Sequence, residues 1–149
     1  DLDIVVRYAN LNDLLHILEP HVVRQTKFGG LHLRSEGWLF DVWPMSDTWA
    51  IRQGLVEGRD FRDLTRTTFL DVEAVVAELS PSRGRPRRVH SHGFFEAMQR
   101  QTIDINLEEN PYPGLCVVRS LVTAARLRFA LAPRLARYIV TVGKKGWRG

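Results

Sequence analysis

The sequence predicts an α/β domain of the α+β kind: a small mixed β-sheet followed by a helical segment. Three stretches predict it. Asp1-Leu2-Asp3-Ile4-Val5-Val6 alternates like a strand with one apolar face. Residues 28–43 hold two β-rich runs around Ser35-Glu36-Gly37, the pattern of a hairpin with Gly37 at positive φ. From Leu115 onward, apolar residues recur at helical spacing.

The totals agree with this. The chain has 149 residues, enough for one domain or slightly more and for a sizeable core. Hydrophobic residues make up 44% and charged residues 26%, a globular balance. Its one cysteine, Cys116, excludes an internal disulfide and a cysteine-rich zinc site. No apolar run has membrane-spanning length and no signal peptide is visible, so a cytoplasmic location without membrane contact is expected. A net charge of +4 favours an anionic partner such as nucleic acid. The chain opens on Asp rather than Met, as expected of a truncated or processed protein.

Taken in order, the first strand places Asp1 and Asp3 on one face, about 7 Å apart, with Leu2, Ile4 and Val6 on the other. Asn10 or Asn12 can cap a helix carrying Leu11, Leu14, Leu15 and Leu18, which Pro20 ends. In the hairpin, Gly29-Gly30 predicts a close backbone approach or a bulge. Leu39, Asp41 and Trp43 share a face of its second strand. Asp47 can cap a turn, and residues 52–66 read as a loop or short helix. Thr68 to Leu79 fits a helical stripe, but its β-branched content favours a strand at its start. Ser82-Arg83-Gly84-Arg85-Pro86-Arg87-Arg88 is a basic loop, suited either to water or to phosphate contact. A short helix is expected near Gly93–Met98 and an extended piece over Ile103–Leu107. A helix then runs from Leu115 to about Phe129, with Leu115, Val118, Val122, Ala125 and Phe129 as its apolar stripe and Arg119 and Arg126 nearly on one face. Pro133 opens a last helix that Gly143 ends, and the tail from Lys144 is expected to be loose. His16 and His21 are expected at the surface, and His90 and His92 have no carboxylate or cysteine at ligand spacing.

Two acids side by side on a strand are costly unless a cation lies between them, and Mg²⁺ takes such oxygen ligands. Asp-x-Asp alone is equally a strand whose polar start faces water. Asp41 adds weight, because a carboxylate amid Trp38-Leu39-Phe40-Asp41-Val42-Trp43 needs a partner. That partner is either an arginine such as Arg24 or Arg34, or a cation shared with Asp1 and Asp3.

These residues, with the stretch Leu115–Pro133, resemble the DNA polymerase β-like nucleotidyltransferases, in the branch of the CCA-adding enzymes and poly(A) polymerases. Asp1-Leu2-Asp3-Ile4-Val5-Val6, the hairpin and the arginine-bearing helix with Arg119 and Arg126 occur in that family's order over nearly the whole chain. The resemblance implies a nucleotidyltransferase-type head over 1–107, lacking its first strand and turn, and a helical neck over 108–149. It implies Asp1, Asp3 and Asp41 as catalytic and metal-binding carboxylates for two Mg²⁺ ions. Arg24, Arg62, Asp63, Arg119 and Arg126 become candidates for holding the nucleotide. The implied reaction transfers a nucleotide from an NTP to an acceptor: an RNA 3′ end such as that of tRNA, held by loop 83–88 and the neck helix, or else a small-molecule or protein hydroxyl. The rival reading is a binding or regulatory module on the same fold.

Three departures stand against the family pattern. Its glycine turn and helix, which hold the triphosphate, precede Asp-x-Asp and are not in this chain, so the chain alone is expected to be a poor enzyme. Its Arg-Arg-Asp-Phe-Thr motif is partly kept as Arg62-Asp63-Leu64-Thr65, or aligns with Arg66 to Phe69. Its base-reading arginine falls on Cys116 and the accompanying acids near Tyr112 and Pro113; a thiol lacks the paired donors of a guanidinium.

Overall fold

The structure is a computed structural model that describes residues 2–79 and 88–146. It divides into two compact units, residues 1–58 and 59–149.

In the first unit, β1 (Leu2–Val6) leads to α1 (Leu11–Leu18), which Asn10 caps by accepting the Asp13 N–H at 3.0 Å. A 3₁₀ turn over Glu19–His21 contains Pro20 and passes into β2 (Val22–Gln25). The hairpin follows as β3 (Leu31–Ser35) and β4 (Trp38–Pro44), and a 3₁₀ turn leads to α2 (Trp49–Arg52). The sheet runs β1-β4-β3-β2, with β1 parallel to β4 and the other pairs antiparallel. Ser35 pairs with Trp38, so the turn has two residues, Glu36 and Gly37, at φ 48° and 82°. Positive φ at both positions is the twist-matched hairpin turn. One sheet face packs Ile4, Val6, Leu31, Leu33, Phe40 and Val42 against the leucines of α1, while Leu2 stays half exposed. At Gly30 an added Cβ would lie 3.1 Å from Trp43 Cβ and 3.2 Å from the Val42 carbonyl, the close approach that the glycine pair predicts.

In the second unit, α3 (Phe61–Leu64) is capped by Asp60. Residues 68–79, expected to open as a strand, instead make a single bridge at Leu70 to Ile105, a 3₁₀ turn over Asp71–Glu73, and then β5 (Val75–Ala77). Strand β5 pairs with β6 (Val89–Ser91), and α4 (Phe94–Arg100) follows. Next come β7 (Thr102–Ile103), α5 (Pro113–Leu127), β8 (Ala130–Leu131), parallel to β7, and α6 (Pro133–Gly146). Gly143 does not end α6, which runs three residues further, through Lys144 and Lys145. The core joins Phe69, Leu70, Ile103, Ile105, Cys116 and Leu135.

The face that α5 buries differs from the expected stripe. Cys116 and Ser120 turn inward, while Leu115, Val118 and Val122 are about half exposed. Small residues on the inner side let the helix approach a core already filled by Phe69, Leu70 and Leu135. The buried Ser120 hydroxyl donates to the Cys116 carbonyl one turn back at 2.7 Å, so its burial leaves no orphaned donor.

Candidate functional site

The sheet face opposite α1 carries a row of polar side chains across all four strands. Asp3 on β1 is the register partner of Asp41 on β4, Asp41 of His32 on β3, and His32 of Arg24 on β2. Register partners on neighbouring strands project from the same face, with strands about 4.8 Å apart. Asp3 and Arg24 are exposed; Asp41 and His32 are partly buried.

Alternation alone produces most of this row. On β4, Phe40, Val42 and Pro44 face inward, which turns Asp41 outward; on β3, Leu31 and Leu33 do the same for His32. Strand β2 needs a bulge. Val22 pairs with Leu33 and joins the core, whereas Arg24 pairs with His32 two strand positions away by sequence but one by register. In a regular strand Val22 and Arg24 would share a face; the extra residue separates them.

The partner of Asp41 is His32, not an arginine. Nδ1 of His32 lies 2.6 Å from Asp41 Oδ1. Arg34 is two residues further along β3, opposite Leu39. His32 was not among the candidate site residues, although Leu-His-Leu on a hairpin strand marks an outward imidazole. Asp1 lies outside the described residues, as do Arg83, Arg85 and Arg87 of the basic loop. Among the described residues, no three His, Cys, Asp or Glu side chains are placed together as a metal site. Asp3 and Asp41 are two hard oxygen donors on adjacent strands, a set that fits Mg²⁺, which takes one or two carboxylates and completes its shell with water and phosphate oxygens.

The remaining candidates lie in the second unit. Asp63 accepts the Arg59 N–H at 2.7 Å and so closes the turn before α3, while Arg62 is exposed on that helix. In the alternative alignment, Phe69 is a core residue. Thr67 donates to the Leu64 carbonyl at 2.8 Å and Thr68 to the Leu70 carbonyl at 3.1 Å. Asn106, unforeseen from sequence, ties this segment down: its amide donates to the carbonyls of Thr65 and Thr68, and its oxygen is 2.6 Å from His92 Nδ1. On α5, Arg126 is exposed, and Arg119 donates from Nη2 to Glu73 Oε1 at 2.7 Å. Cys116, on the same helix, is buried, and burial pushes its thiol pKa up, against the pull of Arg119.

No family model and no curated protein matches the chain. Solved structures do. A CCA-adding enzyme in complex with ATP superposes with a TM-score of 0.65 at 15% identity, over 98% of this chain and 34% of that one. A tRNA-processing enzyme in an apo form gives 0.63 at 17% identity, over 97% and 40%. A tRNA nucleotidyltransferase bound to a primer tRNA and an incoming ATP analogue gives 0.60 at 16% identity, over 95% and 42%. The chain therefore has a nucleotidyltransferase-type α/β fold, and it spans well under half the length of these proteins. Among the described residues, no helix is long and apolar enough to cross a membrane.

Proposed function

We propose that the chain is the head and neck, residues 1–107 and 108–149, of a metal-dependent nucleotidyltransferase that adds a nucleotide from an NTP to an RNA 3′ end, in the branch of CCA-adding enzymes and poly(A) polymerases. The observation that carries the proposal is the register of Asp3 with Asp41 on the face of the sheet that α1 leaves uncovered, in a fold of nucleotidyltransferase type. Asp3 and Asp41, with Asp1, hold Mg²⁺ in this reading. Bound there, the cation would neutralise charge on the NTP phosphates and lower the pKa of the attacking hydroxyl. The protein's share is positioning and positive charge, with Arg24 at the end of the acidic row and Arg62, Arg119 and Arg126 in the second unit as candidates. Asp63, whose Oδ2 accepts the Arg59 N–H, stays a nucleotide-binding candidate in this reading through its other oxygen. RNA contact is assigned to loop 83–88 and the neck helix, and the setting to the cytoplasm.

The test is binding of ATP and CTP by equilibrium dialysis, with and without Mg²⁺. Wild-type protein is expected to bind in a Mg²⁺-dependent way. Asp41→Asn is expected to lose about 1.5–3 kcal/mol, the scale of one interaction with a charged group. Binding that ignores both Mg²⁺ and Asp41 would sink the reading.

One specific set of observations favours the rival, a catalytically silent nucleotide- or RNA-binding module. Thr67 and Thr68 stand where the family carries an arginine and an acid, and their hydroxyls bond to local backbone; the base-reading arginine is replaced by a buried cysteine. Mg²⁺-dependent NTP binding without transfer to RNA, in a longer protein containing this chain, is the outcome that the rival predicts.

A further inference from the structure

His32 is the member of the polar row that neither the family resemblance nor the charge pattern accounts for. An ionised carboxylate offers no proton, so across the 2.6 Å contact Nδ1 donates and Asp41 Oδ1 accepts. The backbone beneath the ring is fixed from the other side. Leu31 and Leu33, its neighbours on β3, are 0% and 5% exposed in the core against α1, so the strand cannot turn to release the imidazole. The ring itself is 18% exposed and Asp41 is 31% exposed, so water competes poorly for the bond. With Oδ1 engaged, rotation of the Asp41 carboxylate is restricted, and Oδ2 is held on the face that Asp3 shares by register.

We propose that His32 is a positioning residue: its Nδ1–H holds the Asp41 carboxylate in the orientation in which it shares a divalent cation with Asp3. This rests on the metal-dependent reading above and adds to it the residue that pre-orders the ligand. The physical gain is entropic. A carboxylate already fixed by a donor loses less rotational freedom when a cation arrives. Groups that orient a ligand from behind carry a known cost when removed, about 10–100-fold in metal affinity. The competing account makes His32–Asp41 a cross-strand pair that only stabilises the hairpin.

The experiment is Mn²⁺ binding to the 149-residue protein, followed by the electron paramagnetic resonance signal of free Mn²⁺, for wild type, Asp41→Asn, His32→Leu and His32→Asn. Circular dichroism and melting in EDTA establish that each variant is folded. Leu keeps comparable bulk and removes the donor; the Asn amide nitrogen occupies nearly the place of Nδ1 and restores it. His32→Leu is expected to weaken Mn²⁺ binding about 10–100-fold and His32→Asn by less than about threefold. Three results would overturn the inference alone: His32→Leu binding like wild type while Asp41→Asn does not; His32→Asn losing as much as His32→Leu; or both His32 variants melting lower while the folded protein's affinity stays unmoved. If wild type binds no Mn²⁺, the metal-dependent reading falls and this inference falls with it.

Discussion

At the scale of single residues, Asp71 shows how the second unit tolerates a half-buried carboxylate. Its Oδ1 accepts the N–H groups of Val72 at 2.8 Å and Asp104 at 3.0 Å, tying together segments 33 residues apart. Burial raises its pKa; those two N–H groups pull it down, and the Asp104 carboxylate adds a smaller push up. A carboxyl with a raised folded-state pKa binds its proton more tightly folded than unfolded. The ionised form therefore destabilises the fold. The penalty is absent below the ordinary value of 3.8 and grows as pH rises to the raised folded value, beyond which it is constant. Asp71→Asn keeps an oxygen acceptor and removes the charge. It is expected to melt higher than wild type at pH 7 and to lose that advantage at pH 3; a lower melting temperature at pH 7 would show that the two hydrogen bonds outweigh the burial. The acids of the candidate site were legible because their neighbours are so apolar: Asp41 between Phe40 and Val42 announces itself. The donor that answers Asp41 was not, since nothing in a single strand's pattern says which residue of its partner lies opposite. That depends on a two-residue turn reading one position shorter than the sequence suggests.

Elements were legible where one period dominates. The capped helix α1, the hairpin β3–β4 and the helices α5 and α6 follow from spacing and from Asn10, Gly37 and Pro133. Strand β2 was missed because its four residues carry a bulge, which destroys alternation. The face of α5 was misread for a different reason. Periodicity reports where apolar residues lie, and here the larger ones, Leu115, Val118 and Val122, are outside while Cys116, Ser120 and Ala124 pack inward. Available room, not hydrophobicity, decided the orientation. The consequence is measurable by urea denaturation. Val118→Ser, at a position 56% exposed, is expected to change stability by no more than about 0.5 kcal/mol. Leu135→Ala, at a fully buried position of α6, is expected to cost about 2–5 kcal/mol. Equal costs would mean that the outer stripe of α5 is covered in solution.

At the scale of the whole molecule, each unit carries its own candidate residues: Asp3 and Asp41 on the sheet of the first, Arg119 on α5 of the second. Restoring the family's arginine at Cys116 would fail, because that position opens into a core of Phe69, Leu70 and Ile103, and a guanidinium there would be buried without a partner. Arg119, one turn ahead, is exposed and already oriented, since Glu73 accepts one of its N–H groups at 2.7 Å. An arginine has five such donors, so one ion pair orders the fork without exhausting it, and the Glu73 carboxylate beside it is an acceptor for a base amino group. A site with paired donors and acceptors discriminates among bases; one without them does so weakly. In a four-NTP binding competition with Mg²⁺, Arg119→Ala is therefore expected to shrink the gap between the best- and worst-bound NTP by about 10–150-fold, in line with the ~1.5–3 kcal/mol of a charged hydrogen bond. Glu73→Gln, which loosens the guanidinium without removing it, is expected to fall between. Should Arg119→Ala lower the melting temperature and leave the order and spacing of the four affinities untouched, Arg119 is a structural tie to Glu73, and base choice resides elsewhere in the protein.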